Sequence, residues 1–355
     1  LPNLPGVRRI LVQDSTVLNL HKSLNHLFPA GKNQHGTNAA LRWQALFDLI
    51  SGAPIHLSLT PYSKNDQSES QTVIPLLEEG DLLLRDLGYF CAQAFTQIAQ
   101  QSAWYISRHL VNRVLHLPLE NGGKRLDLVN YLQRHAPAPG DVVDLEVEVG
   151  GGQKDYPRFS GRLVARRVPE HVLADRLRNV NEQDRKQQPG RQRSKRYKEL
   201  LAWEIYLTNL PADQLTMDDI AKLYRLRWRI EMVFKGLKSN TPLMSLGKHR
   251  SNPDHVQVLI HAWLCLLVLT TATGGFALAT RCSQSGELIV NELSLLKVVP
   301  TLFNVVRQML YHLCTPDPGV MLQRLIKQLQ YHAQYEKRSD RVHMAQMLGS
   351  ALRLA

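Results

Sequence analysis

The stretch from Leu223 to Ser239, LYRLRWRIEMVFKGLKS, restricts the possible folds of this chain more than any other segment. It lacks proline, has no glycine before Gly236 and is rich in residues of high helix propensity, so it predicts a helix. Thr216, with Asp219 three residues later, predicts the start of that helix as an imperfect capping box. At about 100° per residue, the apolar side chains fall on one side of the helix and should pack on a core. These residues are Leu223, Leu226, Ile230, Val233, Phe234 and Leu237.

A polar stripe runs beside this apolar face. Measured from Tyr224, the helical period places Arg227, Glu231, Lys235 and Lys238 within about 60° of one line. One interpretation is a solvated strip with i,i+4 pairs, in which Glu231 pairs with Arg227 and with Lys235. The other is a functional edge, in which Glu231 holds a metal ion while Arg227 and Lys238 neutralise phosphates. The second interpretation requires two more carboxylates from elsewhere in the chain.

Two aspartates stand where a predicted strand ends. The apolar run Ile10–Val12 is followed by Asp14, and the run Asp81–Leu84 is followed by Asp86. An aspartate at a strand end is most often a turn former or a helix cap. The ends of neighbouring strands can nevertheless bring two carboxylates together, at the edge where open α/β sheets bind ligands.

The first hundred residues alternate between strand and helix patterns, which predicts a mixed α/β fold. Residues 29–40 are predicted to form a loop, because proline and glycine interrupt them. Leu41–Ile50 and Ile55–Leu59 predict a β-hairpin, whereas Ser68–Glu79 has a helical composition. We further predict a helix over residues 90–101 and a strand over residues 103–107.

The pattern changes between residues 110 and 200. Asp144–Val149 and part of Phe159–Val168 alternate polar and apolar residues, as half-buried antiparallel strands do. A helix is predicted over His171–Gln187, and Ala202–Leu210 returns to a strand composition. We therefore predict a mostly β insertion between two parts of one α/β domain. Beyond residue 286 the sequence predicts helices, over Leu288–Leu313 and Val320–Ala333.

The charge balance favours a polyanionic partner. The 355 residues carry a formal net charge of +12, and nucleic acid is the usual partner of so basic a chain. The run Gln188–Lys198 is rich in cations and is broken by proline and glycine. It is either a solvated or disordered segment or a contact with DNA phosphates. Its cations are Arg191, Arg193, Lys195, Arg196 and Lys198.

Four widely spaced cysteines without a CxxC pair predict reduced thiols in a cytosolic protein and no zinc site. Ala262–Ala279 has no charged residue and lies at the lower limit of membrane-spanning length. We favour a buried core helix over a membrane span for it. The chain begins at Leu1 without a signal-peptide pattern, and we expect an N-terminal segment to precede it.

The spacing of four residues on the predicted helix, Y-(2)-R-(3)-E-(6)-K, resembles the signature of bacterial insertion-sequence DDE transposases of the insertion sequence four type. In this sequence they are Tyr224, Arg227, Glu231 and Lys238. Residues 206–211, Trp228 and the sequences around Asp14 and Asp86 resemble the same family. The resemblance covers roughly residues 7–275.

This resemblance implies an α/β fold in which an RNase H-like mixed sheet is flanked by helices and interrupted by a β-rich insertion, with a helical C-terminal region. The catalytic core would comprise residues 1–110 and 201–280. The insertion would cover residues 111–200, and the helical region residues 281–355.

The resemblance also implies a site. Asp14, Asp86 and Glu231 would be the catalytic residues and would hold two Mg²⁺ ions, for which Mn²⁺ could substitute. DNA would be contacted by residues of the predicted helix Leu223–Ser239 and of the basic run Gln188–Lys198. These are Tyr224, Arg227, Lys235, Lys238, Arg191, Arg193, Lys195 and Arg196.

The function implied is that of a DNA transposase, which cuts and joins the ends of an insertion sequence by phosphodiester hydrolysis and strand transfer. Its partners would be double-stranded DNA, at the element ends and the target, and a second copy of the chain in a homodimer on DNA. It would act in the bacterial cytoplasm, at the nucleoid, without a membrane. The alternatives are a catalytically inactive, transposase-derived DNA-binding protein and a membrane-attached protein anchored by residues 262–279.

Overall fold

The computed structural model describes residues 6–33, 36–121, 123–150, 158–187, 192–240, 251–285, 297–298, 300–301, 304 and 317–332. Its strands are β1 (Arg9–Leu20), β2 (Pro29–Asn33), β3 (Gly36–Asp48), β4 (Pro54–Pro61), β5 (Asp81–Arg85), β6 (Trp104–Arg108), β7 (Leu115–His116), β8 (Arg125–Leu126), β9 (Val142–Val149), β10 (Phe159–Arg167) and β11 (Trp203–Thr208). Its α-helices are α1 (Ala92–Gln100), α2 (Leu128–His135), α3 (Glu170–Arg185), α4 (Lys195–Leu200), α5 (Met217–Arg225), α6 (Trp228–Asn240), α7 (Pro253–Ser285) and α8 (Pro318–His332). The predicted mixed α/β class is confirmed.

The chain divides into two compact units. Unit 1 comprises Leu1–Leu76 and Arg225–Ala355, and unit 2 comprises Leu77–Tyr224. The predicted domain bounds near residues 110, 200 and 280 do not coincide with these divisions, and they stay predictions.

In unit 1, the long strand β3 pairs antiparallel with β1, β2 and β4. The predicted hairpin of residues 41–59 is confirmed as β3 and β4. The loop predicted over residues 29–40 is wrong, since β2 and the start of β3 pair there. Pro29 is tolerated because it is the first residue of its strand, where proline interrupts no ladder.

Asp14 lies inside β1 and pairs with Ala45 of β3, so the prediction that it ends a strand is wrong. A ladder of ten paired residues, from Leu11 to Leu20, carries β1 through the Asp-Ser dipeptide. The turn propensity of two residues is outweighed by the packing and pairing of the whole strand.

The helix predicted over Ser68–Glu79 is also wrong, because this segment consists of turns and one 3-10 turn at Ile74–Leu76. Its hydroxyl groups bond to nearby backbone carbonyls. Ser68 Oγ donates to the Asn65 carbonyl at 2.7 Å, and Thr72 Oγ1 donates to the Glu69 carbonyl at 2.7 Å. Such local bonds compete with the helical ladder.

In unit 2, the strands lie in the order β5-β6-β11-β10-β9-β7-β8. β5 and β6 are parallel, and the other pairs are antiparallel. Phe95 of α1 packs over this sheet, 4.5 Å from the ring of Tyr105 and 5.3 Å from that of Phe159. The predicted strands β9 and β10 are confirmed. The mostly β expectation for residues 111–200 is corrected, because α2, α3 and α4 hold more of the described residues than the strands there do.

The single helix predicted over Leu223–Ser239 is wrong as well. α5 ends at Arg225 and α6 begins at Trp228, with Leu226 and Arg227 in a turn. Leu226 is buried, so the core accepts this break. The predicted helix start is confirmed, because the Asp219 backbone N–H donates to Thr216 Oγ1 while Asp219 Oδ2 accepts from the Thr216 backbone N–H. Of the predicted apolar stripe, Ile230 and Phe234 are buried on α6 and Leu223 on α5, whereas the Leu237 side chain lies outside the described residues.

Helix α7 contains the long apolar run. By length and composition, Pro253–Ala272 is one candidate membrane span among the described residues, with 28% of its window buried. A core helix of a soluble protein satisfies the same criterion. Val256, Ile260 and Leu267 are buried along one stripe, whereas Val258 and Leu269 are exposed. Over Pro253–Ala272, the helix is therefore buried on one side, and not all round as a core helix would be.

Helix α8 confirms the helix predicted near residues 320–333. The helix predicted over residues 288–313 falls mostly outside the described residues. Cys91 and Cys265 are free thiols, in agreement with the reduced state predicted for them.

Candidate active site

Arg227 connects Asp14 of β1 with Glu231 of α6. Its Nη1 donates to Asp14 Oδ2 at 2.9 Å, and its Nη2 donates to Glu231 Oε1 at 2.7 Å. The Asp14 and Arg227 side chains are 17% and 16% exposed, whereas Glu231 is 44% exposed. The Arg227–Glu231 pair is the predicted i,i+4 pair. The contact with Asp14, 213 residues away in sequence, brings two of the predicted acids onto one guanidinium.

Local structure explains this placement. Arg227 lies in the turn before α6, where the Ile230 backbone N–H bonds to the Arg227 carbonyl at 3.2 Å. Glu231 is in the first turn of α6, where a carboxylate is favoured by the helix dipole. Phe234, one turn further, packs on Trp43 of β3 with ring centroids 6.0 Å apart. This packing holds the polar edge of α6 beside β1.

A pocket of about 310 Å³ opens at this edge. Its lining includes Asp14 and Thr16 of β1 and Glu231, Lys235 and Lys238 of α6. Lys235 is exposed, and Lys238 is half-buried. Burial lowers the pKa of Lys238 from its usual value. Two carboxylates and two ammonium groups thus share one concave surface, which suits a ligand that carries phosphates and cations together.

Asp86 belongs to unit 2. It follows β5 directly and precedes the 3-10 turn Leu87–Tyr89, so its predicted position at a strand end is confirmed. It stands at the N-cap position of that turn, yet its side chain makes no capping hydrogen bond among the described residues. Helix capping therefore does not account for an aspartate at this position.

The donor set of the pocket suits a hard divalent cation, because carboxylate oxygens are the ligands that Mg²⁺ prefers. Both carboxylates are, however, engaged by Arg227. Within the described ranges, no group of three or more His, Cys, Asp or Glu residues is arranged to hold a metal ion. The metal-ligand roles of Asp14, Asp86 and Glu231 therefore stay predictions.

Tyr224, predicted to contact DNA, is 7% exposed in α5. Its ring lies 5.2 Å from that of Tyr206, and the Arg108 guanidinium lies 5.7 Å from its centroid. Tyr206 in turn donates its hydroxyl to the buried Glu204 at 2.7 Å. Tyr224 thus packs on a buried network of unit 2. The sequence did not predict this network, although the strand composition of residues 202–210 predicted the strand that carries it.

The predicted basic run is largely paired within unit 2. Asp184 of α3, itself buried, accepts from Arg193 at 3.1 Å and pairs with Lys198 at 2.9 Å. Hydrogen bonding to Lys198, opposed by burial and aided by Arg193, holds the pKa of Asp184 below its usual value. Lys195 is 92% exposed and lies 3.8 Å from the Glu199 carboxylate. Arg196 is half-buried, and Arg191 lies outside the described residues.

The family model for the transposase DDE domain matches residues 5–269. This match covers well over half of the chain, and the chain therefore belongs to the DDE transposase family.

The relatives agree with this family. The transposase for insertion sequence element IS231F of Bacillus thuringiensis subsp. israelensis is 29% identical over 252 residues, which cover 66% of this chain and 50% of that protein. The IS231D transposase of Bacillus thuringiensis subsp. finitimus is 31% identical over 65% of this chain and 50% of its own length. The chain spans about half the length of these curated relatives.

A solved structure, the piggyBac transposase synaptic complex with hairpin DNA, covers 95% of this chain and 61% of that chain. Its TM-score is 0.45 with 10% sequence identity, and this likeness supports no inference.

Proposed function

We propose that this chain carries the catalytic part of an insertion-sequence transposase, which cuts the ends of its element and joins them to target DNA. The observation that carries the proposal is the bridge from Asp14 through Arg227 to Glu231. This bridge joins β1 to α6, and Asp14 and Glu231 both line one pocket of unit 1. Family membership supports the same reaction class.

Asp14, Asp86 and Glu231 are the proposed metal ligands, with Mg²⁺ as the natural ion and Mn²⁺ as a substitute. Asp86 enters the proposal through its sequence motif and its uncapped strand-end position. Two bound divalent ions supply activation of the attacking water or 3′-hydroxyl and stabilisation of the leaving oxygen. We also propose that the catalytic core has the RNase H-like topology that the sequence motifs imply.

The side chains around the acids have separate tasks. Arg227 orients Asp14 and Glu231, because its planar fork fixes one oxygen of each. Lys235 and Lys238 neutralise DNA phosphates that enter the pocket. Tyr224 has a structural task within unit 2, because its ring packs on Tyr206. Among the described cations of the basic run, Lys195 is the one best placed to reach a phosphate, because it is exposed.

The proposed partners are double-stranded DNA, at the element ends and the target, and a second copy of the chain. A homodimer would allow the two ends of one element to be cut together. The proposed location is the bacterial cytoplasm, at the nucleoid.

The test is Mg²⁺-dependent cleavage of DNA that carries the element ends, with binding measured in parallel. Alanine at Asp14, Asp86 or Glu231 should abolish cleavage and leave DNA binding intact, because affinity comes mainly from cations. Asp175→Ala is the control, since Asp175 is a 58% exposed carboxylate on α3. Normal cleavage by any of the three acid variants would remove that residue from the site. DNA binding without cleavage by the unaltered chain would favour the inactive DNA-binding alternative.

A further inference from the structure

We propose that Ser15, Asp66 and Arg42 are positioning residues, which fix the carboxylate of Asp14 by holding the backbone of β1 at Ser15. This inference rests on the proposed function, since it concerns the orientation of one proposed metal ligand.

The carboxylate of Asp14 is held at both oxygens. The backbone N–H of Ser15 donates to Asp14 Oδ1 at 2.8 Å, and Arg227 donates to Asp14 Oδ2 at 2.9 Å. One of these two donors thus belongs to the residue that follows Asp14 in β1. The direction of the carboxylate depends on where the Ser15 backbone lies.

The side chain of Ser15 is locked in place. Successive side chains of a strand point to opposite faces, so Ser15 projects away from Asp14. Its hydroxyl donates to Asp66 Oδ1 at 2.7 Å and accepts from Arg42 Nη1 at 3.2 Å. A hydroxyl with both a donor and an acceptor partner is held in one rotamer, and it tethers β1 at this residue.

Asp66 is the centre of this polar cluster, which consists of Ser15, Arg42, Gln44 and Asp66. Arg42 Nη1 donates to both carboxylate oxygens of Asp66 at 2.9 Å, and Gln44 Nε2 donates to Oδ1 at 3.1 Å. The side chains of Arg42 and Asp66 are 13% and 24% exposed. Charge-assisted bonds at such partly buried positions are strong and directional. The cluster therefore ties the turn segment that carries Asp66 to β1 and β3 beside Asp14.

Residues that orient a metal ligand typically affect metal affinity by about 10–100-fold. The experiment measures Mn²⁺ binding to the full chain without DNA, by the electron paramagnetic resonance signal of free Mn²⁺. Ser15→Ala and Asp66→Asn should each weaken Mn²⁺ binding by about 10-fold. Ser15→Thr keeps the hydroxyl and should bind Mn²⁺ like the unaltered chain.

Ser51 provides the matched control, because its hydroxyl donates to Asp48 Oδ2 at 2.7 Å in the same unit. Ser51→Ala removes an equivalent bond to Asp48, which pairs with Leu11 and not with Asp14, and should leave Mn²⁺ binding unchanged. Asp14→Ala reports on the proposed metal site itself. Circular dichroism identifies any variant that fails to fold. If Asp66→Asn unfolds, the comparison of Ser15→Ala with Ser15→Thr decides.

Unchanged Mn²⁺ binding in folded Ser15→Ala, together with lost binding in Asp14→Ala, would overturn the positioning role and leave the proposed function standing. Equal losses in Ser15→Ala and Ser51→Ala would overturn it too, since the effect would then be general. Unchanged binding in Asp14→Ala would place the metal elsewhere and would defeat both proposals.

Discussion

Replacement of Arg227 by alanine separates the catalytic importance of this side chain from its structural importance. Arg227 makes two charge-assisted bonds, and each such bond to a buried charge contributes about 1.5–3 kcal/mol. Asp14 is 17% exposed and retains that full value, whereas Glu231 is 44% exposed and water replaces most of its bond. We expect Arg227→Ala to cost about 2–3 kcal/mol of unfolding free energy.

The larger effect should appear in catalysis. At saturating DNA, Arg227→Ala should lower the single-turnover cleavage rate by about 10–100-fold, because the two carboxylates lose the group that orients them. Arg227→Lys keeps the charge but loses the fork that spans two carboxylates, so its rate should lie between those of the unaltered chain and the alanine variant.

Arg166 offers a control that is matched in its bonding. It too bridges a buried and an exposed carboxylate, Glu204 at 11% and Asp218 at 67% exposure. Arg166→Ala should therefore lose similar stability in urea unfolding, while its cleavage rate at saturating DNA stays within about twofold of normal. Equal rate losses in both arginine variants would refute a catalytic role for Arg227. The bonds from Arg227 to Asp14 and Glu231 would then only stabilise the fold.

Three further predictions concern single side chains. Lys238→Ala should weaken engagement of element-end DNA without unfolding the chain, which titration of labelled DNA measures; unchanged affinity would exclude a phosphate contact. Lys195→Ala should flatten the slope of log affinity against log salt concentration by about 0.9. An unaltered slope would mean that this exposed lysine does not contact a DNA phosphate. Burial, together with Arg196, lowers the pKa of His109 to about 4, so stability should be full above the unfolded pKa of about 6.5 and fall as pH drops toward 4. His109→Leu should remove part of that fall and the exposed His135→Leu should not; unfolding followed across this pH range compares them.

The elements that were predicted correctly are those set by local chemistry. The reciprocal bonds of Thr216 and Asp219 need only a short sequence, and they form as expected. The alternation of polar and apolar residues in β9 and β10 is likewise a local pattern, because successive side chains of a strand point to opposite faces of the sheet. Asp14 shows the opposite case, because ten residues of pairing with β3 carry its strand past a turn-forming dipeptide.

The site itself depends on contacts that no local pattern contains. The i,i+4 spacing predicts the Arg227–Glu231 pair, but the contact of Arg227 with Asp14 joins residues 213 positions apart. The break between α5 and α6 could not be predicted either, because the sequence there contains neither proline nor glycine. It interrupts the predicted helix after α5, where Tyr224 is buried against Tyr206. Strand-end positions and the polar stripe raised Asp14, Asp86 and Glu231 as possible metal ligands, and the family resemblance then assigned all three to one site.

The central claim is that one metal site draws ligands from the segments around Asp14, Asp86 and Glu231. Fe²⁺ bound in place of Mg²⁺, with ascorbate and peroxide, generates radicals that cut the backbone next to the metal, and mass spectrometry of the fragments locates the cuts. We predict cuts near all three residues, which excess Mg²⁺ suppresses and Asp14→Ala abolishes. Cuts near Asp14 and Glu231 without any near Asp86, or cuts that persist in Asp14→Ala, would contradict the claim.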